Sequence, residues 1–146
     1  MRSISKVFLD ANVLFDLCIT DRPFHESSVR AIEFLLENGA ELYTSSDFIT
    51  TIYYVLSRAI KDKDKVLDLI EDIVSYTTLV GFSNEEVKEA IGLMSENGNF
   101  RDLEDTLVYV LAKKEGCNPI LSNDNSFCSP DAQVMSSEEF CEAFCE

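Results

Sequence analysis

Three segments of this 146-residue chain, far apart in sequence, carry acidic side chains whose spacing could support metal-dependent chemistry. Asp10 follows a short apolar stretch, Asp102 and Asp105 open a predicted helix, and Asp124 follows another apolar stretch. Asp102 and Asp105 are three residues apart, so they share a helix face. Carboxylates about 5 Å apart repel by roughly 3 kcal/mol per pair at an effective dielectric near 20, so such a cluster needs protons or a cation. Oxygen ligands of this kind select Mg²⁺ or Mn²⁺, which can activate water for phosphodiester hydrolysis.

Each of these acids also has a purely structural interpretation. Asp10 could cap the helix that follows it. Asp102 with Asp105 resembles a capping box with Asp in the place of Glu. Asp124 lies in a turn-rich stretch, where Asp is common. The site hypothesis therefore depends on whether the three segments converge.

Short strands and helices alternate along the chain and must position these acids. The pattern predicts an α/β fold with a parallel sheet covered by helices on both faces, as one domain over residues 1–146. Ligands bind at the carboxyl edge of such sheets, where the residues after each strand meet. Asn84 is expected to cap the fifth helix, and Ser46 or Asp47 the third. The predicted strands are 3–9, 41–44, 77–80, 119–122 and 133–135, and the predicted helices are 12–19, 24–37, 48–60, 61–74, 85–96, 102–115 and one from 136 onward.

Composition and charge exclude several classes of protein. A hydrophobic content of 46% argues against disorder. The longest uncharged run, 73–84, is too short for a membrane span of about 20 residues, and Asp10 and Asp16 interrupt any signal peptide. Five cysteines are an odd number that suits free thiols in a reducing cytoplasm. The net charge of −15 repels nucleic acid on average, which limits RNA binding to a local basic edge.

Three motifs resemble those of the PIN-domain ribonucleases, and they occur in the same order. Segment 7–17, with Asp10-Ala11-Asn12-Val13 at its centre, resembles the family's opening motif. Segment 102–107 resembles the internal acid motif, and segment 120–127 resembles the Thr/Ser-x-Asp…Phe signature. The segment after the second strand, 52–56, and the tail, 134–144, are similar to family elements as well. The resemblance therefore spans nearly the whole chain.

This resemblance implies a three-layer α/β/α sandwich with a central, mainly parallel sheet of about five strands. It also implies a Mg²⁺- or Mn²⁺-dependent endoribonuclease that acts on RNA, in the manner of the VapC-like toxins of type II toxin–antitoxin systems. Such proteins usually form homodimers and are silenced by an antitoxin protein. The implied catalytic residues are Asp10, Asp105 and Asp124; the metal ligands are these three and Asp102; the supporting residues are Asn12, Thr51, Glu104 and Ser122.

The sequence departs from the family pattern at the second acid. The family often has a Glu early in the helix after the second strand, where this chain has Thr50 and Thr51. Asp47 lies about one helical turn earlier and is not equated with that acid. Loss of one anionic ligand weakens metal affinity, although Glu104 or Asp102 could compensate. A catalytically degenerate PIN-like module that binds a protein is therefore the main alternative.

One local group of basic residues could contact RNA. Arg58 and Lys61, with the neighbouring Lys63 and Lys65, form either a phosphate-contacting edge or a solvated face paired with nearby acids. A third interpretation, a phosphatase-type α/β enzyme, requires an Asp-x-Asp motif. Asp10 is followed by Ala11 and Asn12, so that motif is absent.

Overall fold

A five-stranded, all-parallel sheet forms the centre of the protein, in a computed structural model that describes residues 4–124 and 126–145. The strand order is β3-β2-β1-β4-β5, so the first strand in sequence lies in the middle. The predicted parallel sheet is confirmed. Residue 3, the first of the predicted strand 3–9, lies outside the described residues. The strands are β1 (Lys6–Leu9), β2 (Glu41–Ser45), β3 (Thr77–Val80), β4 (Ile120–Leu121) and β5 (Val134–Met135).

Seven helices connect and cover the strands within the described residues. One group packs in series: α1 contacts α2 and α3, α2 contacts α7, and α3 contacts α4. In the other group α5 packs on α6, and α6 contacts β2. This is the expected α/β sandwich. The helices are α1 (Ala11–Cys18), α2 (His25–Glu37), α3 (Phe48–Ile60), α4 (Lys63–Tyr76), α5 (Asn84–Glu96), α6 (Leu103–Glu115) and α7 (Ser137–Phe144).

Two helices that begin beside the acids, α1 and α6, start with a side-chain cap. Asp10 caps α1 by accepting from the Ala11 backbone N–H, and Asp102 caps α6 by accepting from the Asp105 N–H. Both acids therefore act as helix N-caps, as their structural interpretation predicts. The expected cap at Asn84 is wrong, because Ser83 forms a capping box with the residue three positions later. Asp47 precedes α3 without a side-chain cap bond.

The apolar strand residues explain why the sheet lies in the interior. Val7, Phe8 and Leu9 of β1 are completely buried, as are Ile120 and Leu121 of β4. Strands buried on both faces read as continuous apolar runs, which is how both segments appear in the sequence. A second, smaller cluster between α5 and α6 contains Ala90, Phe100, Tyr109 and Val110.

Two of the expectations drawn from composition can be compared with the structure. No helix within residues 4–124 and 126–145 is long and apolar enough to cross a membrane. All five cysteines lie in the described part of the chain and are free thiols.

The end of α6 provides a test of the fold. Gly116 follows α6 with φ of +71°, a left-handed conformation in which a Cβ is strained. We expect Gly116→Ala to lower the free energy of unfolding by about 1 kcal/mol, measured by urea denaturation. Gly92, inside α5 with no atom within 4 Å of an added Cβ, is the matched control. Gly92→Ala should raise stability by up to about 1 kcal/mol, and equal effects of the two variants would contradict the cap assignment.

Candidate active site

The pairing of β1 with β4 brings the first acid next to Ser122. Leu9 lies opposite Leu121 in the parallel register, and the Asp10 N–H donates to the Leu121 carbonyl at 2.9 Å. The buried Ser122 hydroxyl donates to Asp10 Oδ2 at 2.8 Å, and the Asn12 amide donates to the same oxygen at 3.2 Å. The Asp10 side chain is only 3% exposed. Burial raises its pKa despite these hydrogen bonds.

Asp105 is the most strongly perturbed acid of the group. Burial first, and then the charges of Asp10, Asp102 and Asp124, together raise its pKa to about 7. The first turn of α6 therefore lies close to both the first and the late acid. A capping or turn role for each acid separately does not explain why acids from three distant segments lie near one another.

Two hydrogen bonds from Ser126 stabilise the Asp124 carboxylate. The Ser126 N–H donates to Asp124 Oδ1 at 3.0 Å, and the Ser126 hydroxyl donates to it at 2.8 Å. These bonds lower the pKa of Asp124. The side chains of Asp105 and Asp124 are within hydrogen-bonding reach of each other, which raises the pKa of Asp105 and lowers that of Asp124.

Two further carboxylates lie at the edge of this group. Burial raises the pKa of Glu104, and the charges of Asp10, Asp102 and Asp47 add to the shift. Asp47 follows β2 at the carboxyl edge and lines a small pocket with Glu104. Asp47 does not match the second acid of the family motif, yet its charge acts on Glu104 and the two residues line the same pocket. Thr51 is exposed on α3.

The acids interact electrostatically, but two of them are bound by hydroxyl groups of the protein and not by a common ion. Within residues 4–124 and 126–145, no three His, Cys, Asp or Glu side chains are close enough to hold a metal ion as they stand. Ser122 holds Asp10, and Ser126 holds Asp124. The donor set nevertheless fits Mg²⁺ or Mn²⁺, because all the ligands are carboxylates and their mutual repulsion is what a divalent cation would offset.

A hydrogen-bonded cluster around Asn123 supports the loop that carries the late acid. The Asn123 N–H donates to Asn12 Oδ1 at 2.9 Å, and the Asn123 amide donates to Asp16 Oδ2 at 2.6 Å. Its side-chain carbonyl accepts from the Ser137 N–H of α7 at 2.8 Å. Asp16 is buried and forms an ion pair with Arg22. Sequence reasoning missed Asp16 and Asn123; the polar residues flanking a predicted site were the only signal available.

The basic residues lie in two different places. Arg58 stacks on the Tyr54 ring at 5.2 Å and, with Lys61, lies at the C-terminal end of α3. That end is about 20 Å along the helix axis from Asp47 at the sheet edge. Arg101, which the sequence analysis did not consider, lines a small pocket together with Asp102, Asp105 and Ser126. A cation is therefore available directly beside the acids.

The family of the chain follows from a comparison with family models. The model described as a PIN domain matches residues 6–126, which include all three acidic segments. The chain belongs to the PIN-domain family. Ribonuclease VapC1 of Aquifex aeolicus (strain VF5) is 55% identical to this PIN domain over 137 residues, which cover 94% of each chain.

Solved structures with the same fold are similar over most of the PIN domain. VapBC2 from Rickettsia felis, bound to a DNA fragment from its promoter, superposes with a TM-score of 0.69 at 19% identity and covers 90% of this chain and 98% of that chain. VapC20 of Mycobacterium tuberculosis, a sarcin–ricin loop cleaving toxin, gives 0.67 at 13% identity and covers 83% and 92%. At these identities the likeness confirms the PIN-like α/β fold.

The raised pKa of Asp105 predicts a pH-dependent stability of the metal-free protein. Its folded pKa of about 7 lies above the ordinary value of 3.8, so the folded state binds the proton more tightly and loses stability as pH rises from about 4 to 7. We expect Asp105→Asn, melted in EDTA at pH 8, to be more stable than the wild type by roughly 1 kcal/mol, or about 3 °C, a figure reduced because the side chain is half-exposed. The gain should disappear near pH 4.

A matched control separates this effect from the general acidity of the chain. Asp68 is an exposed carboxylate on α4. Asp68→Asn should shift the melting temperature by the same small amount at both pH values. If both variants respond identically to pH, Asp105 does not titrate as the geometry predicts.

The Asn123 cluster predicts a second stability effect. Asn123→Asp keeps the side-chain size but places a carboxylate 2.6 Å from Asp16 Oδ2, so two like charges face each other. We expect a loss of about 2 kcal/mol in urea denaturation at pH 7.5. Asn84→Asp adds the same charge at the exposed start of α5, where the helix dipole favours an anion, and should be neutral or slightly stabilising. Equal losses in the two variants would contradict the cluster.

Proposed function

We propose that this PIN domain is a Mg²⁺- or Mn²⁺-dependent endoribonuclease that hydrolyses RNA phosphodiesters, and that it is the toxin of a type II toxin–antitoxin pair. The observation that carries the proposal is the electrostatic coupling of Asp10, Asp105 and Asp124, from three distant segments, at the carboxyl edge of a parallel sheet. The 55% identity to Ribonuclease VapC1 supports the same reaction and the same substrate. These three acids are the proposed catalytic residues.

Each side chain of the site has a distinct task in this proposal. Asp10, Asp102, Asp105 and Asp124 would hold the divalent ion, which when bound supplies Lewis acidity and an activated water. Ser122 and Asn12 orient the buried Asp10 carboxylate through their hydrogen bonds.

Glu104 adds negative charge near the site, and Thr51 on α3 stays a weaker supporting candidate. Arg101 beside Asp105 is placed to contact a phosphate of the RNA backbone. Arg58 and Lys61 would contact the RNA only if a stretch of the bound strand runs along α3. Because the chain carries a net charge of −15, the proposed binding is salt-sensitive and confined to such local cations.

The proposed partners follow from the likeness to VapC-like toxins. We expect an antitoxin protein that silences the site and a homodimer of this chain. The five free thiols suit the reducing cytoplasm in which such a pair would act.

The proposal is tested by cleavage of a single-stranded RNA pool with Mg²⁺ or Mn²⁺. Asp10→Asn and Asp124→Asn each remove one anionic ligand, so we expect the rate to fall on the order of 100-fold or more, and EDTA to abolish cleavage by the wild type. Asp68→Asn, purified in the same way, should keep the wild-type rate and controls for contaminating nucleases. Equal cleavage by all the proteins would rule out this site assignment.

A degenerate PIN-like module that binds a protein is the second candidate. Two observations favour it. Thr51 stands where the family often has an acid, and no three His, Cys, Asp or Glu side chains among the described residues are close enough to hold a metal ion. Titration calorimetry with Mn²⁺ distinguishes the two functions. Binding that disappears in Asp10→Asn supports the nuclease, whereas no binding together with no cleavage supports the module.

A further inference from the structure

A groove of about 660 Å³ opens directly beside the proposed catalytic residues. Ser122 and Asp124 form part of its lining, and the Ser122 hydroxyl is the group that binds Asp10. Its volume falls within the range of about 300–1,000 Å³ that is typical of small-ligand sites. The tasks assigned above to the acids leave the rest of the groove unused.

An aromatic ring in this groove is not part of the core. Phe24 directly precedes α2, is half-buried, and among the described residues lies outside both hydrophobic clusters. Phe127 and Val134 extend the apolar part of the lining. A half-buried ring that lines a groove beside the proposed cleavage site presents a flat surface on which a nucleobase can stack.

The polar part of the lining is acidic and, in the part of the chain that the structure describes, contains no Lys or Arg. Glu139 is occupied, because its carboxylate accepts from the Ser136 N–H at 2.8 Å in the capping box of α7. Glu138 is exposed and takes no part in that capping box. Its carboxylate repels phosphate, so the groove suits an uncharged base rather than the RNA backbone.

The chemistry of a free carboxylate distinguishes among the four bases. Its two oxygens accept two hydrogen bonds side by side. Guanine offers two adjacent donors, N1–H and the N2 amino group, on its Watson–Crick edge, the edge by which unpaired RNA bases are read. On the same edge, adenine and cytosine have one amino donor next to an acceptor, and uracil has a single donor between two acceptors. None of these three bases therefore offers a carboxylate two adjacent donors.

We propose that the groove binds a guanine base of the RNA substrate adjacent to the cleaved phosphodiester, stacked on Phe24 with its Watson–Crick edge on Glu138. The proposal rests on the proposed nuclease function for the identity of the larger ligand. The recognition of guanine itself is separable from cleavage, because Phe24 and Glu138 are not among the metal-holding residues.

Binding is tested first with the four nucleoside 5′-monophosphates and the full chain in EDTA, by NMR saturation transfer and titration. The phosphate is common to all four probes, so differences report on the base. We expect GMP to bind about tenfold more tightly than UMP. Glu138→Gln should reduce this preference to about twofold, whereas Glu142→Gln, an exposed carboxylate on the same helix outside the groove lining, should leave it unchanged.

Variants of the ring separate stacking from edge recognition. Phe24→Ala should weaken all four monophosphates about tenfold, and Phe24→Leu, which keeps apolar bulk and protects the fold, should weaken them without altering the GMP-to-UMP ratio. Circular dichroism melting of each variant confirms that it is folded. Unchanged binding in a folded Phe24 variant overturns the stacking role.

Cleavage-site sequencing of a random RNA pool is the second measurement. The wild type should enrich guanine at one position next to the cut, and Glu138→Gln should lose this enrichment. If the wild type cleaves without base preference and binds the four monophosphates equally, the guanine site is overturned while the nuclease function stands. If the wild type does not cleave but prefers GMP, the nuclease function fails and the guanine site stands. Binding of N-acetylarginine amide in preference to every nucleotide would assign the groove to a basic protein and overturn the proposal.

Discussion

The pairing of β1 with β4 is the constraint on which the acidic site depends. These strands are adjacent and parallel although more than a hundred residues separate them, and their register sets Leu9 opposite Leu121. The next residue on each strand is polar, and the resulting Ser122–Asp10 hydrogen bond joins the two ends at the sheet edge. A slip of one residue in this register would turn one of the two polar side chains to the opposite face of the sheet and separate them.

The charge of the site is a balance between burial and hydrogen bonding. Asp10 and Asp105 lose hydration and hold their protons more tightly, whereas Asp124 receives two donors from Ser126 and gives its proton up. The surroundings of neighbouring acids thus shift their pKa values in opposite directions. The same repulsion that would destabilise the metal-free fold at high pH is what makes the cluster attractive to a divalent cation.

The sequence was sufficient to predict the parallel sheet, because buried parallel strands are apolar runs. Since the residues after such strands share an edge, it also predicts that Asp10, Asp105 and Asp124 act together, and this stays a prediction. It was not sufficient for Asn123, whose partners lie on α1 and α7 and whose role depends on distances that no periodicity encodes. Asp47 was set aside because its place in the motif was wrong, but spatial proximity to Glu104 does not require motif spacing.

The hydrogen bond from the Ser137 N–H to Asn123 supports the site from outside the segment that matches the family model. The family match ends at residue 126, whereas the late acid is anchored through Asn123 to a helix that starts at Ser137. A buried hydroxyl contact between Ser28 and Ser137 ties that helix to α2 in turn. Truncation at the end of the family match would therefore keep Asp10, Asp105 and Asp124 and remove the support of Asp124.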